Sequence, residues 1–293
     1  MLVSVYIPTR NRRVLVERAV RSVLEQDHTD LELFVVNDAS TDDTEEVLGR
    51  LSASDPRLTV FTNTEAKGAP AARNRAITAA RGEFVTGLDD DDYVGPSHLS
   101  NFVTAWKHYE SQGVKPSCLY PEVVWMQAGR QKFVSSKPKT VVYADLFTHN
   151  VIGNQVFAPR AHFIDVGLFD EQLPAWQDLD LFIRILRKYG AAHLAPAATY
   201  FYDDDERADR ISAKGERIRK ASVRIAAKHA DLDPRLLLSL HMQMFSGFYD
   251  IPPTLADIRF LLANKPSFRH LRRMLKRVLT MPLARRRFSS PAP

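Results

Sequence analysis

Apolar positions in the first hundred residues switch repeatedly between a strand period and a helical one. Val3 to Ile7 reads as a strand stopped by Pro8, and Thr9-Arg10-Asn11-Arg12 as a loop. Val16, Ala19, Val20, Val23 and Leu24 then recur at helical spacing. Leu31 to Val36 is a second strand, ending in the polar turn Asn37 to Thr44, whose residues suit a helix N-cap. A helix through Val47 and Leu48 follows, then a strand over Leu58 to Phe61, an Ala-rich helix over Ala69 to Ala80, and a strand over Glu83 to Leu88. Asp89-Asp90-Asp91-Asp92 stands at the carboxyl end of that last strand.

Alternation of this kind predicts an α/β fold built on a doubly wound, mostly parallel sheet. Such sheets bind ligands beyond the carboxyl ends of their strands. Three polar clusters fall there: Thr9 to Arg12, Asn37 to Asp43, and Asp89 to Asp92. The second half is less regular. Ser117 to Met126, Gln131 to Val134 and Asn154 to Ala158 are expected as strands of a smaller mixed sheet, with Asp178 to Tyr189 a helix and Ala191 to Tyr202 a strand. Asp203 to Ser212 is a charged loop. Helices are expected over Glu216 to Lys228, Pro234 to Phe248, Leu255 to Ala263 and Phe268 to Thr280, with a disordered end from Arg285 to Pro293. The chain thus divides into residues 1–215, with a ligand-binding half over 1–100 and a second half over 101–215, and a helical extension over 216–293.

Composition narrows the class. The 293 residues are 45% apolar and 26% charged, which excludes wholesale disorder. The single cysteine, Cys118, excludes an internal disulfide and a multi-cysteine zinc site, and is expected as a small core residue. No apolar run approaches the roughly 20 residues of a membrane span, and the N-terminus lacks the basic and apolar regions of a secretory signal. A cytoplasmic protein is expected. The net charge of +5 is unevenly spread: from Ile258 onward there are ten Lys/Arg and no Asp/Glu, so the first 257 residues carry about −5. A basic tail on an acidic body argues against a nucleic-acid binder. In that tail Leu271, Met274, Leu275, Val278 and Leu279 lie at helical spacing, with Arg272, Arg273, Lys276 and Arg277 between them. The pattern suits either an anionic membrane surface or a helix packed on the domain.

Four adjacent aspartates cannot all ionise cheaply without a countercharge. Mg²⁺ or Mn²⁺, hard cations held by one or two carboxylates and substrate phosphates, would supply it; a solvated acidic turn is the plainer reading. Asp38, at the end of the second strand, suits either a nucleotide contact or a helix cap. Arg73 and Arg75, on the Ala-rich helix, are either surface residues or phosphate ligands. Of Asp178 and Asp180, at the start of a helix, the dipole accounts for one and leaves the other for general-base work. Glycine-rich dinucleotide or P-loop motifs and a Gly-x-Ser-x-Gly elbow are absent from the sequence, and no histidines are paired at metal-ligand spacing.

The ordered set Val3 to Asn11, Val35 to Asp42, Ala71-Ala72-Arg73-Asn74, Leu88 to Asp92, Val166 to Glu171 and Gln177 to Leu181 resembles the family 2 inverting glycosyltransferases of the GT-A fold, over roughly residues 1 to 215. The resemblance implies that Pro8, Thr9, Arg10 and Asn11 line a nucleotide pocket and that Asp38 binds the base, typically uracil. It implies that Arg73 meets the pyrophosphate or base. The family's Asp-x-Asp falls on Asp89 and Asp91, with Asp91 the best metal ligand and Asp90 still in play because the run leaves the register open by one. The catalytic base falls on Asp178. Asn37, Ala39, Ala76 and Gln177 depart from the family pattern, and Gln177 removes a negative charge beside the base.

The function so implied is transfer of a sugar from a nucleoside-diphosphate donor, most often a UDP-sugar, to a hydroxyl of a saccharide or lipid-linked acceptor. Surface polysaccharide or lipopolysaccharide synthesis is the expected setting, with peripheral contact to the inner face of the cytoplasmic membrane. The Asp203 to Ser212 loop is a candidate lid. The competing readings are a sugar-nucleotide-binding scaffold without catalysis, favoured only by Gln177, and a nucleotidyltransferase, which would want glycines absent from residues 8 to 13.

Overall fold

The computed structural model describes residues 1–203, 215–246, 249 and 251–280. Two compact units are present, one formed by Met1–Tyr143, Val151–Glu171 and Gln177–Glu206, the other by Ala144–Asn150, Gln172–Trp176 and Arg207–Pro293. The chain runs β1 (Val3–Thr9), α1 (Arg13–Leu24), β2 (Leu31–Asn37), α2 (Thr44–Ser54), β3 (Leu58–Thr62), α3 (Ala69–Ala79) and β4 (Phe84–Gly87). It continues through β5 (Tyr93–Val94), α4 (His98–Ser111), β6 (Leu119–Gln127), β7 (Arg130–Val134) and β8 (Thr140–Val141). There follow α5 (Tyr143–Leu146), β9 (Ala158–Pro159), α6 (Arg160–Asp165), α7 (Gln177–Tyr189) and β10 (Ala192–Asp203). The last helices are α8 (Gly215–Lys228), α9 (Pro234–Gln243), α10 (Leu255–Ala263) and α11 (Phe268–Thr280).

The first unit holds two sheets. In the first, of order β3-β2-β1-β4-β9, only β9 is antiparallel to its neighbour. Every residue of β1 and β2 is buried, as parallel strands covered on both faces require. Val3, Val5, Ile7, Leu31, Leu33 and Val35 pack with Val16, Val20, Val47 and Leu48 of α1 and α2, whereas α3 meets β1 and β2 outside that cluster. β1 runs two residues past Ile7, the end expected before Pro8, in register with β2 to Thr9↔Asn37. Pro8 is tolerated because β4 pairs only as far as Tyr6↔Gly87, so no ladder bond is lost on that side.

The second sheet, also of five strands, is mixed: β10 runs parallel to β6 and antiparallel to β5 and β8, and β6 is antiparallel to β7. Asn154 to Ala158 is not the strand expected. Only Ala158 and Pro159 form β9, Phe157 makes one bridge to Leu119, and Asn154 and Gln155 spend their side chains on the aspartate run. The helix expected over Pro234 to Phe248 ends at Gln243. The candidate lid beyond Asp203 and the terminal Arg285 to Pro293 lie outside the described residues. Cys118 is fully buried, and burial pushes its thiol up to about 12.

In the second unit Arg219 makes two bonds of 2.8–2.9 Å to Asp257, and Gln243 Nε2 donates to the Leu146 and Phe147 carbonyls. Thr254 and Asp257 close a reciprocal cap at the start of α10.

Candidate active site

The loops after β1, β2 and β4 are stitched together by side chains. Asn11 Oδ1 accepts from the Thr41 amide at 2.7 Å, and the Asn11 amide donates to Ser40 Oγ at 2.9 Å. The Arg12 amide donates to Thr44 Oγ1, while Arg12 Nη1 lies 2.8 Å from Asp90 and 3.0 Å from Asp91. The three polar clusters therefore do share one rim. Pro8 and Thr9 are buried at the strand end and Arg10 is exposed beside them. Asp38 caps no helix: it accepts from Asn63 Nδ2 and the Lys67 amide at 2.8 Å and from the Gly68 amide at 2.7 Å, binding the turn before α3. The start of α2 is served by Asp42 instead, whose Oδ1 accepts from the Thr44 amide.

The four aspartates alternate in environment. Asp90 and Asp92 are buried, whereas the Asp89 and Asp91 side chains keep 24% and 18% of their surface. Burial pushes the Asp90 carboxyl up to about 6, against the pull of Arg12. Burial also raises Asp92, which accepts from Tyr200 Oη at 2.6 Å and from the Asp203 amide at 3.0 Å. Asp89 is held by three donors: Arg73 Nη2 at 2.9 Å, Gln155 Nε2 at 3.0 Å and Asn154 Nδ2 at 2.7 Å. Asn154 and Gln155 lay inside a stretch read as strand. Gly153-Asn154-Gln155, a glycine followed by two adjacent amides, is the sequence sign of a loop there.

Arg73 is not a surface residue. It is 6% exposed, its guanidinium lies over the Phe169 ring at 5.2 Å, and it bridges Asp89 to Asp178, 3.3 Å away. Burial alone would lower its pKa, but the Asp178 and Asp89 carboxylates outweigh it and raise it. Arg73 Nε and Asn37 Nδ2 are buried without a hydrogen-bond partner among the described residues. Asn74 fixes the support, exchanging two 2.9 Å bonds with the backbone of Phe169. Arg75 does other work, donating to the Thr62 carbonyl and Asn63 Oδ1. At the start of α7, Asp180 is fully buried and paired with Arg184 at 2.7 Å, and Arg184 also ties down the Val166 and Leu168 carbonyls. Asp178 instead keeps 24% of its side-chain surface. Burial pushes its carboxyl up to about 6, with Arg73 opposing and Asp89 adding to the shift.

The family description Glycosyl transferase family 2 matches residues 4–165, more than half of the chain. The chain belongs to that family. WcaA of Escherichia coli (strain K12), named for colanic acid biosynthesis, is 38% identical over 203 residues, covering 68% of this chain and 71% of WcaA. The GalNAc(5)-diNAcBac-PP-undecaprenol beta-1,3-glucosyltransferase of Campylobacter jejuni is 44% identical over 101 residues, 34% of this chain and a third of that protein's length. Among solved structures, S. aureus TarS 1-349 in complex with UDP-GlcNAc superposes with a TM-score of 0.65 at 21% identity, covering 95% of this chain and 80% of that one. The mannosyltransferase PcManGT of Pyrobaculum calidifontis, in complex with GDP-Man and Mn2+, gives 0.61 at 20% identity, covering 97% and 81%. These likenesses show the GT-A fold. The family 2 glycosyltransferase thus carries its candidate cation, base and acidic run on one rim of the first unit.

Proposed function

We propose that this family 2 glycosyltransferase moves a sugar from a nucleoside-diphosphate donor, a UDP-sugar, to a hydroxyl of a saccharide or lipid-linked acceptor, with inversion at the anomeric carbon. The observation that carries the reading is the Asp178–Arg73–Asp89 bridge, with ion-pair distances of 3.3 and 2.9 Å. It joins a group suited to take a proton to a cation suited to a diphosphate. Asp178, with its carboxyl near 6, is ionised at neutral pH yet basic enough to accept the acceptor hydroxyl's proton. That oxygen attacks the anomeric carbon as the bond to the diphosphate oxygen breaks, and the diphosphate leaves with the electron pair. Arg73 then faces the negative charge that develops, and its unpartnered Nε is one further donor available to it.

A divalent cation fits the donor set. Asp91 and Asp89 offer hard carboxylate oxygens at the partly open positions of the run. Among the described residues no three His, Cys, Asp or Glu side chains cluster as a complete cage. A site of one or two carboxylates completed by substrate phosphates is the habit of Mg²⁺ and Mn²⁺. When bound, the ion supplies charge neutralisation on the leaving diphosphate. Asp38, Thr9 and Asn11 border the base end of the same rim, Asp38 through the turn it holds.

The test is release of nucleoside diphosphate from a panel of sugar donors with a saccharide acceptor, followed by the anomeric configuration of the product. Asp178→Asn should lower transfer by about 10²–10⁴-fold and leave donor binding intact. Unchanged transfer in that variant, or retained configuration, overturns the assignment.

A further inference from the structure

Helix α11 has three faces of different character. Met274 is 5% exposed, and half-buried His270, Arg273, Arg277 and Val278 lie beside it on one side of the helix. That side is bonded within the second unit: Ser239 Oγ meets His270 Nε2, Arg273 donates to the Met242 carbonyl, and Arg277 donates to the Ile251 carbonyl at 3.1 Å. These contacts account for this face among the described residues. Phe268, Leu271, Leu275 and Leu279, three or four residues apart, form a second row that is 78%, 41%, 59% and 59% exposed. Arg269, Arg272 and Lys276, at the same spacing, form a third row, also exposed and adjoining the leucines.

We propose that the Leu271–Leu275–Leu279 row and the Arg272–Lys276 row of α11 dock on the surface of an anionic lipid bilayer. The helix would lie in the plane of the headgroups. Charge favours lipid as the occupant: the sequence from Ile258 onward has ten Lys/Arg and no Asp/Glu, three of those arginines following α11 at 285–287. Geometry agrees. An apolar row one residue wide, bordered on one side by long basic side chains with aliphatic stems, lets the leucines enter the acyl boundary while the charges stay at phosphate level. No helix among the described residues is long and apolar enough to cross a membrane. Leu255, Phe260 and Leu262 of α10 are exposed at 51%, 39% and 63% and add apolar surface to the same unit. The proposal stands apart from the sugar-transfer reading, since vesicle binding is read without donor or acceptor.

The experiment is co-sedimentation of the full chain with vesicles of phosphatidylcholine alone or with a quarter phosphatidylglycerol, at low and high salt. Binding is expected to the anionic vesicles, and to fall at high salt. The pair Arg272→Gln with Lys276→Gln should weaken it about 25-fold, at about fivefold per charge. The pair Leu275→Ser with Leu279→Ser should abolish it while leaving the melting temperature unchanged. Failure to bind anionic vesicles, or equal binding by both paired variants, overturns the proposal. A dimer in solution that the leucine variants dissociate, without vesicle binding, would assign the face to a second copy and overturn it equally.

Discussion

Arg73 is the countercharge for two carboxylates that its own helix does not carry, Asp89 at 2.9 Å and Asp178 at 3.3 Å. Removing one partner of a buried pair leaves the other charge uncompensated, so Arg73→Ala should cost about 3–5 kcal/mol. Arg73→Lys restores the charge but not the planar fork that reaches both acids, and should recover only part of it. Denaturant unfolding checks both; a loss under about 1 kcal/mol for Arg73→Ala would show that the acids are screened by other means. Asp178 gives a pH dependence with a definite sign. Its carboxyl is raised to about 6 in the folded chain, above its ordinary value near 3.8, so its contribution to stability is present below about 4 and lost as pH rises through 6. Activity moves the opposite way, because the base works deprotonated: transfer should rise towards a plateau above about pH 6. Asp178→Asn should flatten the activity curve and reduce the fall in stability between about pH 4 and 6, leaving the part that belongs to buried Asp90, also raised to about 6; a stability profile unaltered by that substitution would assign the whole of that fall to other groups.

Single glycine and alanine positions test how the elements are fitted together. A Cβ on Gly87, the last residue of β4, would lie 2.1 Å from Gln155 Oε1 and 2.3 Å from the Tyr6 ring. Gly87→Ala should therefore cost about 1–3 kcal/mol and displace the amide that holds Asp89, read as a lower unfolding midpoint with weaker donor binding. Ala39 stands where the family pattern has glycine, and its φ is +57°. Ala39→Gly should stabilise the turn after β2 by up to about 1 kcal/mol in the same measurement. Such positions also show why the sequence could be read only in part. The β-α alternation of the first hundred residues was legible because each parallel strand is an apolar run and each helix has its own buried stripe. Convergence of Thr9–Arg12, Asn37–Asp43 and Asp89–Asp92 followed from the topology alone. What was not legible was long-range partnership. Nothing local in Asn154-Gln155 says that two amides will fold back on Asp89, 65 and 66 residues earlier in the chain. Nor does the sequence say that Arg73 is buried while Arg75, two residues on, serves Asn63. Four identical aspartates carry no sequence difference at all, and only packing separates the buried Asp90 and Asp92 from the more open Asp89 and Asp91.

Over the whole molecule charge is segregated, with a net of about −5 before Ile258 and ten Lys/Arg after it. Any nucleotide is an anion, so the basic tail is a second place for it to bind, and specific binding must be told from tail binding. The two differ in what they require. Binding at the rim should need a divalent cation and the carboxylate of Asp91, whereas tail binding needs neither and weakens with salt. Asp91→Ala is a cleaner probe than Asp89→Ala, because Asp89 also anchors Arg73, Asn154 and Gln155. With a nucleoside diphosphate near 100 times its Kd, the stabilisation is about 2.7 kcal/mol, or a rise in Tm on the order of 5 °C. We expect that rise with UDP and Mn²⁺, little with UDP alone, and none in Asp91→Ala. It should be smaller with GDP, CDP and dTDP. A shift that survives Asp91→Ala and vanishes in high salt would place the nucleotide on the tail and remove the rim from the account. A shift largest with GDP would keep the rim and the metal but replace uridine as the donor base.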